Sequence, residues 1–106
     1  MGGVDYGYSY VWEYVVRGEH AADFLRTYGP DGDWVRLFRR APGYVSTELL
    51  RDRVRPGRFV TVDRWRSKED WEAFRSAFGA EYEAIDARCE GWTAHEAELG
   101  CFEPAE

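Results

Sequence analysis

The sequence predicts a single α+β domain with a four-stranded antiparallel sheet and helices on one face, in the ferredoxin-like, split βαβ order. Three observations lead there. Residues 8–16 and 58–66 alternate with period two, as strands do. The second run passes almost without a loop into an apolar stripe of helical spacing, Trp71, Phe74, Phe78, Tyr82, Ile85 and Cys89. Steps at Gly29-Pro30, Pro42-Gly43 and Pro56-Gly57 cut the chain into short elements.

In chain order, residues 1–7 read as a flexible lead, 8–102 as the domain and 103–106 as a polar tail. The first strand sets Tyr8, Tyr10, Trp12, Tyr14 and Val16 on one face and Val11, Glu13 and Val15 on the other. A turn at 17–20 leads to a helix over 21–28, in which Phe24, Leu25 and Tyr28 share a face. Gly29-Pro30-Asp31-Gly32 ends it, and Asp31 or Asp33 can cap a short helix through Arg40 that buries Trp34, Leu37 and Phe38. Strands over 44–51 and 58–66 flank a hairpin loop. The third strand puts Phe59, Thr61, Asp63 and Trp65 on one face and Val60, Val62, Arg64 and Arg66 on the other. Ser67 then occupies an N-cap position with Asp70 as its capping-box partner, opening one long helix over 68–90 that stops at Gly91. A fourth strand over 92–99 completes the order.

Helices on one side cannot cover both faces of strands that are apolar on both. An open apolar sheet is a larger patch than monomers usually expose, so a homodimer with sheets packed face to face is expected. The aromatic share of 17% points the same way, towards an interface or a ligand cavity. A net charge of -6 argues against nucleic acid or an anionic membrane as the main partner. No window is apolar enough to span a bilayer, and residues 1–5 lack the pattern of a signal peptide, so a cytoplasmic location is expected. Cys89 and Cys101 form no CxxC pair; two free thiols and a single disulfide both fit.

Asp63 is the first candidate for chemistry. A carboxylate is out of place in mid-strand, and burial would raise its pKa and suit it to take a proton from a phenol. An ion pair with one of the arginines is the competing reading. Glu13 and Glu48 carry the same argument more weakly. His95 and His20 can each act as a base near neutral pH. Tyr82 and Phe78 on the long helix, with Tyr10, Trp12 and Tyr14 on the first strand, can either line a binding site or fill the core. Two His and two Cys, scattered, make no metal-ligand set. Arg51, Arg53, Arg55 and Arg58 make a basic hairpin that suits a solvated edge.

The chain resembles the antibiotic biosynthesis monooxygenase family, within the dimeric α+β barrel class. The resemblance covers about residues 10–102. It rests on Tyr28-Gly29-Pro30-Asp31-Gly32-Asp33-Trp34 with Leu37-Phe38, on Gly43-Tyr44 with Thr47-Glu48-Leu49-Leu50-Arg51-Asp52, and on Asp63-Arg64-Trp65-Arg66-Ser67 before the aromatic helix. It implies a homodimer, and a cavity between sheet and helices in which an electron-rich aromatic or polyketide-like substrate activates O₂ itself, with no flavin or metal. It implies Trp65 as the residue that orients the substrate, beside Asp63 or His95 as base, with Tyr82, Trp12, Tyr14 and Phe78 against the ligand. One branch of the family degrades haem as substrate, using an Asn, a Trp matching Trp65 and a helix His. This chain has no Asn and no His over 68–90, which disfavours that branch. The quinone-forming branch pairs the Trp with an Asn, also missing here. A small-molecule binding protein and a non-oxidative isomerase, cyclase or decarboxylase are the other readings of the same cavity.

Overall fold

The computed structural model describes residues 5–105. The order is β1 (Tyr8–Val16), a 3₁₀ turn (Gly18–His20), α1 (Ala21–Tyr28), α2 (Asp33–Phe38), β2 (Tyr44–Arg51), β3 (Arg58–Trp65), α3 (Lys68–Ala77), α4 (Gly79–Cys89) and β4 (Thr93–Phe102). The strands form one antiparallel sheet in the order β2-β3-β1-β4. This is the α+β, ferredoxin-like fold expected from the periodicities.

Register decides which side chains meet. Tyr8, Tyr10, Trp12 and Tyr14 lie opposite Trp65, Asp63, Thr61 and Phe59. This is the face that the helices cover. Phe24 of α1, Leu37 and Phe38 of α2 and Phe74 of α3 pack against it with Trp65, making the core. Burying aromatic side chains of this size is the main driving force for the layer, at about 25 cal/mol per Å² of apolar surface removed from water. The other face presents Val11, Val15, Val60, Val62 and Leu50, with Glu13, Arg58, Arg64 and Glu48 among them. No helix covers it among the described residues.

Four boundaries differ from expectation. Of the expected flexible lead, residues 1–4 lie outside the described residues; Gly7 is tied down, its N–H donating to Trp65 O at 3.0 Å. The long helix is kinked at Phe78, whose φ of -116° and ψ of 24° leave the helical range. The backbone bonds Phe78 N–H to Phe74 O and Tyr82 N–H to Phe78 O still bridge the bend, and Gly79 follows it, so the kink sits beside the least constrained residue of the helix. β4 continues to Phe102, past the expected end at Leu99. A register shift opposite Val11/Trp12 leaves Leu99 as the extra residue of a bulge, and pairing resumes at Gly100. At the start of α3 only half of the capping box forms. Ser67 Oγ accepts from Asp70 N–H at 3.1 Å, while the Asp70 carboxyl turns towards Gly43.

Gly43 is therefore fixed twice. Its φ of +91° favours glycine, and a Cβ there would overlap the Asp70 side chain. Gly43→Ala is expected to lower the unfolding free energy by about 2 kcal/mol or more, read from urea denaturation. A loss below a few tenths would mean that β2 can enter the sheet by another path.

Candidate active site

A cavity of about 150 Å³ lies between the helix-covered face of the sheet and the helices. β1 supplies Tyr10, Trp12 and Tyr14, which the pleat aims at the helices. β3 supplies Thr61 and Asp63 from the neighbouring strand, and β2 supplies Thr47. Tyr28, Trp34, Phe38, Trp71 and Tyr82 close it from the helical side, and the exposed Asp86 and Glu96 stand at its rim between α4 and β4. An apolar void of this volume admits about one benzene-sized ring. The rest of a larger ligand would extend past Asp86 and Glu96.

Asp63 is the carboxylate on the inner wall. Its Oδ1 accepts the Thr47 hydroxyl at 2.7 Å, and Thr47 Oγ1 in turn accepts from Tyr44 OH at 2.8 Å. Burial raises its pKa to about 6, and the Thr47 hydrogen bond opposes that rise. The competing reading, an arginine partner, is not what the structure shows: the hydrogen bond goes to a neutral hydroxyl. A carboxylate held in this way is ionised at neutral pH, yet basic enough to take a proton from a bound ligand.

The tyrosines of the wall stay protonated. Burial pushes Tyr14 and Tyr28 well above the usual phenol range and Tyr82 up to about 12. Tyr14 OH shares a 3.2 Å hydrogen bond with Thr61 Oγ1, while Tyr82 packs edge-on to Trp34 at 4.9 Å. Behind Tyr82, the Arg75 guanidinium lies 4.0 Å from the ring centre, and it is 5.8 Å from that of Trp71. Its Nε is buried with no hydrogen-bond partner among the described residues. Such stacking fixes both rings.

The structure thus brings Asp63, Tyr82, Trp12 and Tyr14 to one cavity. It places the other three expected residues elsewhere. Trp65 lies behind the wall, 0% exposed and packed on Phe38, Tyr44 and Phe74 at ring distances of 5.1–5.7 Å. It supports the lining residue Phe38 without being on the lining itself. His95 faces the opposite side of the sheet, since it pairs with Val15 and not with a cavity residue, and its Nε2 is 3.2 Å from Glu13 Oε2. Phe78 stacks on Phe74 at 5.7 Å, with Arg40 over its ring at 4.9 Å, away from the cavity. Glu13 and Glu48 pair with Arg58 and Arg64 on that opposite face, at 2.6 Å each. His20 stacks against Trp92. Cys89 and Cys101 are free thiols, the first buried and the second exposed.

Thr47, Tyr44 and Arg75 were missed. Arg75 had a signal: it follows Trp71 by four residues and precedes Tyr82 by seven, which puts a cation on the aromatic stripe. Thr47 and Tyr44 had none, because their contact with Asp63 depends on the β2–β3 register. α3 and α4 carry no His to ligate a haem iron.

Comparison with solved structures finds the same fold in a number of proteins, three bacterial ones among them. SnoaB from Streptomyces nogalater, described as a cofactor-independent oxygenase, is 22% identical over 95% of both chains, with a TM-score of 0.65. The ActVA-Orf6 monooxygenase of Streptomyces coelicolor, solved with nanaomycin D, is 19% identical over 96% of this chain and 90% of that one, with a TM-score of 0.68. Rv0793 from Mycobacterium tuberculosis is 16% identical over 93% of this chain and 95% of that one, with a TM-score of 0.72. At such identities the likeness is one of fold. No curated protein matches the sequence. The family profile described as antibiotic biosynthesis monooxygenase matches residues 8–88, most of the sheet and all of the helices that build the cavity, and the chain belongs to that family.

Proposed function

We propose that this protein is a cofactor-independent oxygenase that takes a small, uncharged phenol or polyketide-like aromatic into the cavity between sheet and helices. The observation that carries the proposal is a single basic carboxylate, Asp63, on the inner wall of a ring-sized aromatic cavity. The Asp63 carboxylate takes the proton of the bound phenol. The electron-rich phenolate passes electrons to O₂, a ring C–H is replaced by a carbonyl, and the second oxygen atom leaves as water. Trp12, Tyr14 and Tyr82 hold the ring, and Trp65 backs the lining residue Phe38 from outside. SnoaB and ActVA-Orf6, on the same fold, lend support by their descriptions as a cofactor-independent oxygenase and as a monooxygenase. We also propose a homodimer, its two sheets packed through the face opposite the cavity.

Oxygen consumption with a panel of phenols and anthrones tests the reading. One O₂ per product is expected. Quenching of Trp fluorescence with no O₂ uptake would select a binding protein. Asp63 also suits a proton shift without oxidation, and turnover that continues under argon would select that chemistry.

The lining carries Asp63, Asp86 and Glu96 and no basic side chain, so ligand charge is expected to matter. An aromatic carboxylate is expected to bind at least about tenfold more weakly than the phenol of the same shape, as one repelled charge near the surface costs over about 1.4 kcal/mol. Equal dissociation constants by titration calorimetry would place the ligand elsewhere.

A further inference from the structure

We infer that Thr47 and Tyr44 are positioning residues of the site, a two-hydroxyl chain that holds one oxygen of Asp63 and leaves the other as the working base. This rests on the reading of Asp63 as the proton acceptor. The geometry is directional. Tyr44 OH donates to Thr47 Oγ1 at 2.8 Å, so the Thr47 proton is committed to Asp63 Oδ1 at 2.7 Å. Asp63 Oδ2 has no hydrogen-bond partner among the described residues, and Asp63 lines the cavity. The chain does two things. It fixes the rotation of the carboxyl group, so that Oδ2 meets the ligand. It also stabilises the ionised form, which would otherwise be neutral to a higher pH because of burial.

Tyr44 is well placed to anchor the chain. Its ring is wedged between Phe38 at 5.6 Å and Trp65 at 5.4 Å, and Trp65 is fully buried. The core tryptophan is thereby linked to the reacting carboxylate through Tyr44 and Thr47. Other titratable groups around the cavity are Tyr10 and Tyr14 of β1, Tyr28 of α1, and Tyr82 and Asp86 of α4. Glu96 of β4 and Arg75 of α3, the latter behind Tyr82, complete the set. The tyrosines among them are held neutral by burial.

The test is the titration midpoint of the Asp63 carboxyl carbon, followed by NMR in the full chain without ligand. Thr47→Val is expected to raise the midpoint by about one unit, since it removes one hydrogen bond to a charged group. Thr47→Ser should restore the wild-type value, and Tyr44→Phe should shift it in the same direction but less. A midpoint unmoved in folded Thr47→Val would overturn the inference. If Thr47→Val does not fold, a Tyr44→Phe midpoint identical to wild type does so instead. With a turned-over phenol, the acid limb of kcat/KM should move with the NMR midpoint. A moved midpoint with an unmoved limb would support the chain of hydroxyls and overturn Asp63 as the base, so the two claims fail separately.

Discussion

Asp63→Asn is expected to cut turnover steeply and, at pH 7, to make the protein more stable. The loss should be about a hundredfold to ten-thousandfold in kcat/KM, the usual contribution of a positioned general base. The gain follows from linkage. Burial raises the folded-state pKa from 3.8 to about 6, so between these values the native state holds more protons than the unfolded chain. Stability conferred by the protonated carboxyl is therefore present below about pH 4 and lost as pH rises through about 6. About two units correspond to roughly 3 kcal/mol of penalty at neutral pH. Asn has the same shape, can still accept from Thr47 and carries no charge. Urea denaturation should show a gain of about 1–3 kcal/mol at pH 7 that vanishes near pH 4. A variant that loses activity and stability together would mark Asp63 as a structural anchor instead of a base kept at a cost.

The second large effect concerns the face opposite the cavity. Val11 and Val62 are paired across β1 and β3 at its middle, flanked by Val60 and Val15. Around them stand the ion pairs Arg58–Glu13 and Arg64–Glu48. An apolar centre ringed by charge has the layout of an interface. Val11→Lys with Val62→Lys should convert the proposed dimer of 12.3 kDa chains to monomer, seen by light scattering. Two buried like charges facing two more across a two-fold axis leave no compensating partner. If the wild-type protein already scatters as a 12.3 kDa monomer at micromolar concentration, the sheet face is solvated and the dimer is wrong.

Much of this was legible in the residues. Period two in β1 and β3 tells which side chains share a face within each strand, Trp12 with Tyr14 and Asp63 with Trp65; that the two sets meet depends on the β1–β3 pairing. The Ser67 cap and the aromatic stripe located the start of α3 and one face of its continuation. Periodicity, however, is blind to which neighbours leave a gap. Whether an aromatic lines a void or fills the core depends on small packing differences, which is why Tyr82 lies at the cavity and Phe78, four residues earlier, does not. Trp65 shares the face of Asp63 but sits two residues nearer the strand end, where Phe38, Tyr44 and Phe74 close over it. His95 illustrates the other limit: its face depends on β4 register, which a lone strand pattern does not specify. Thr47 was hidden for the same reason. A threonine in a strand has no signal until the partner strand places a carboxylate beside it.

The most direct test of the account is the fate of labelled oxygen. Purified protein is incubated with phenols and anthrones of one to three rings under ¹⁸O₂, and the products are weighed by mass spectrometry. Wild type should give a quinone carrying one labelled oxygen, with the second label in water, and Asp63→Asn at least about a hundredfold less of it. Unlabelled products, or labelled quinone formed equally well by Asp63→Asn, would contradict the account.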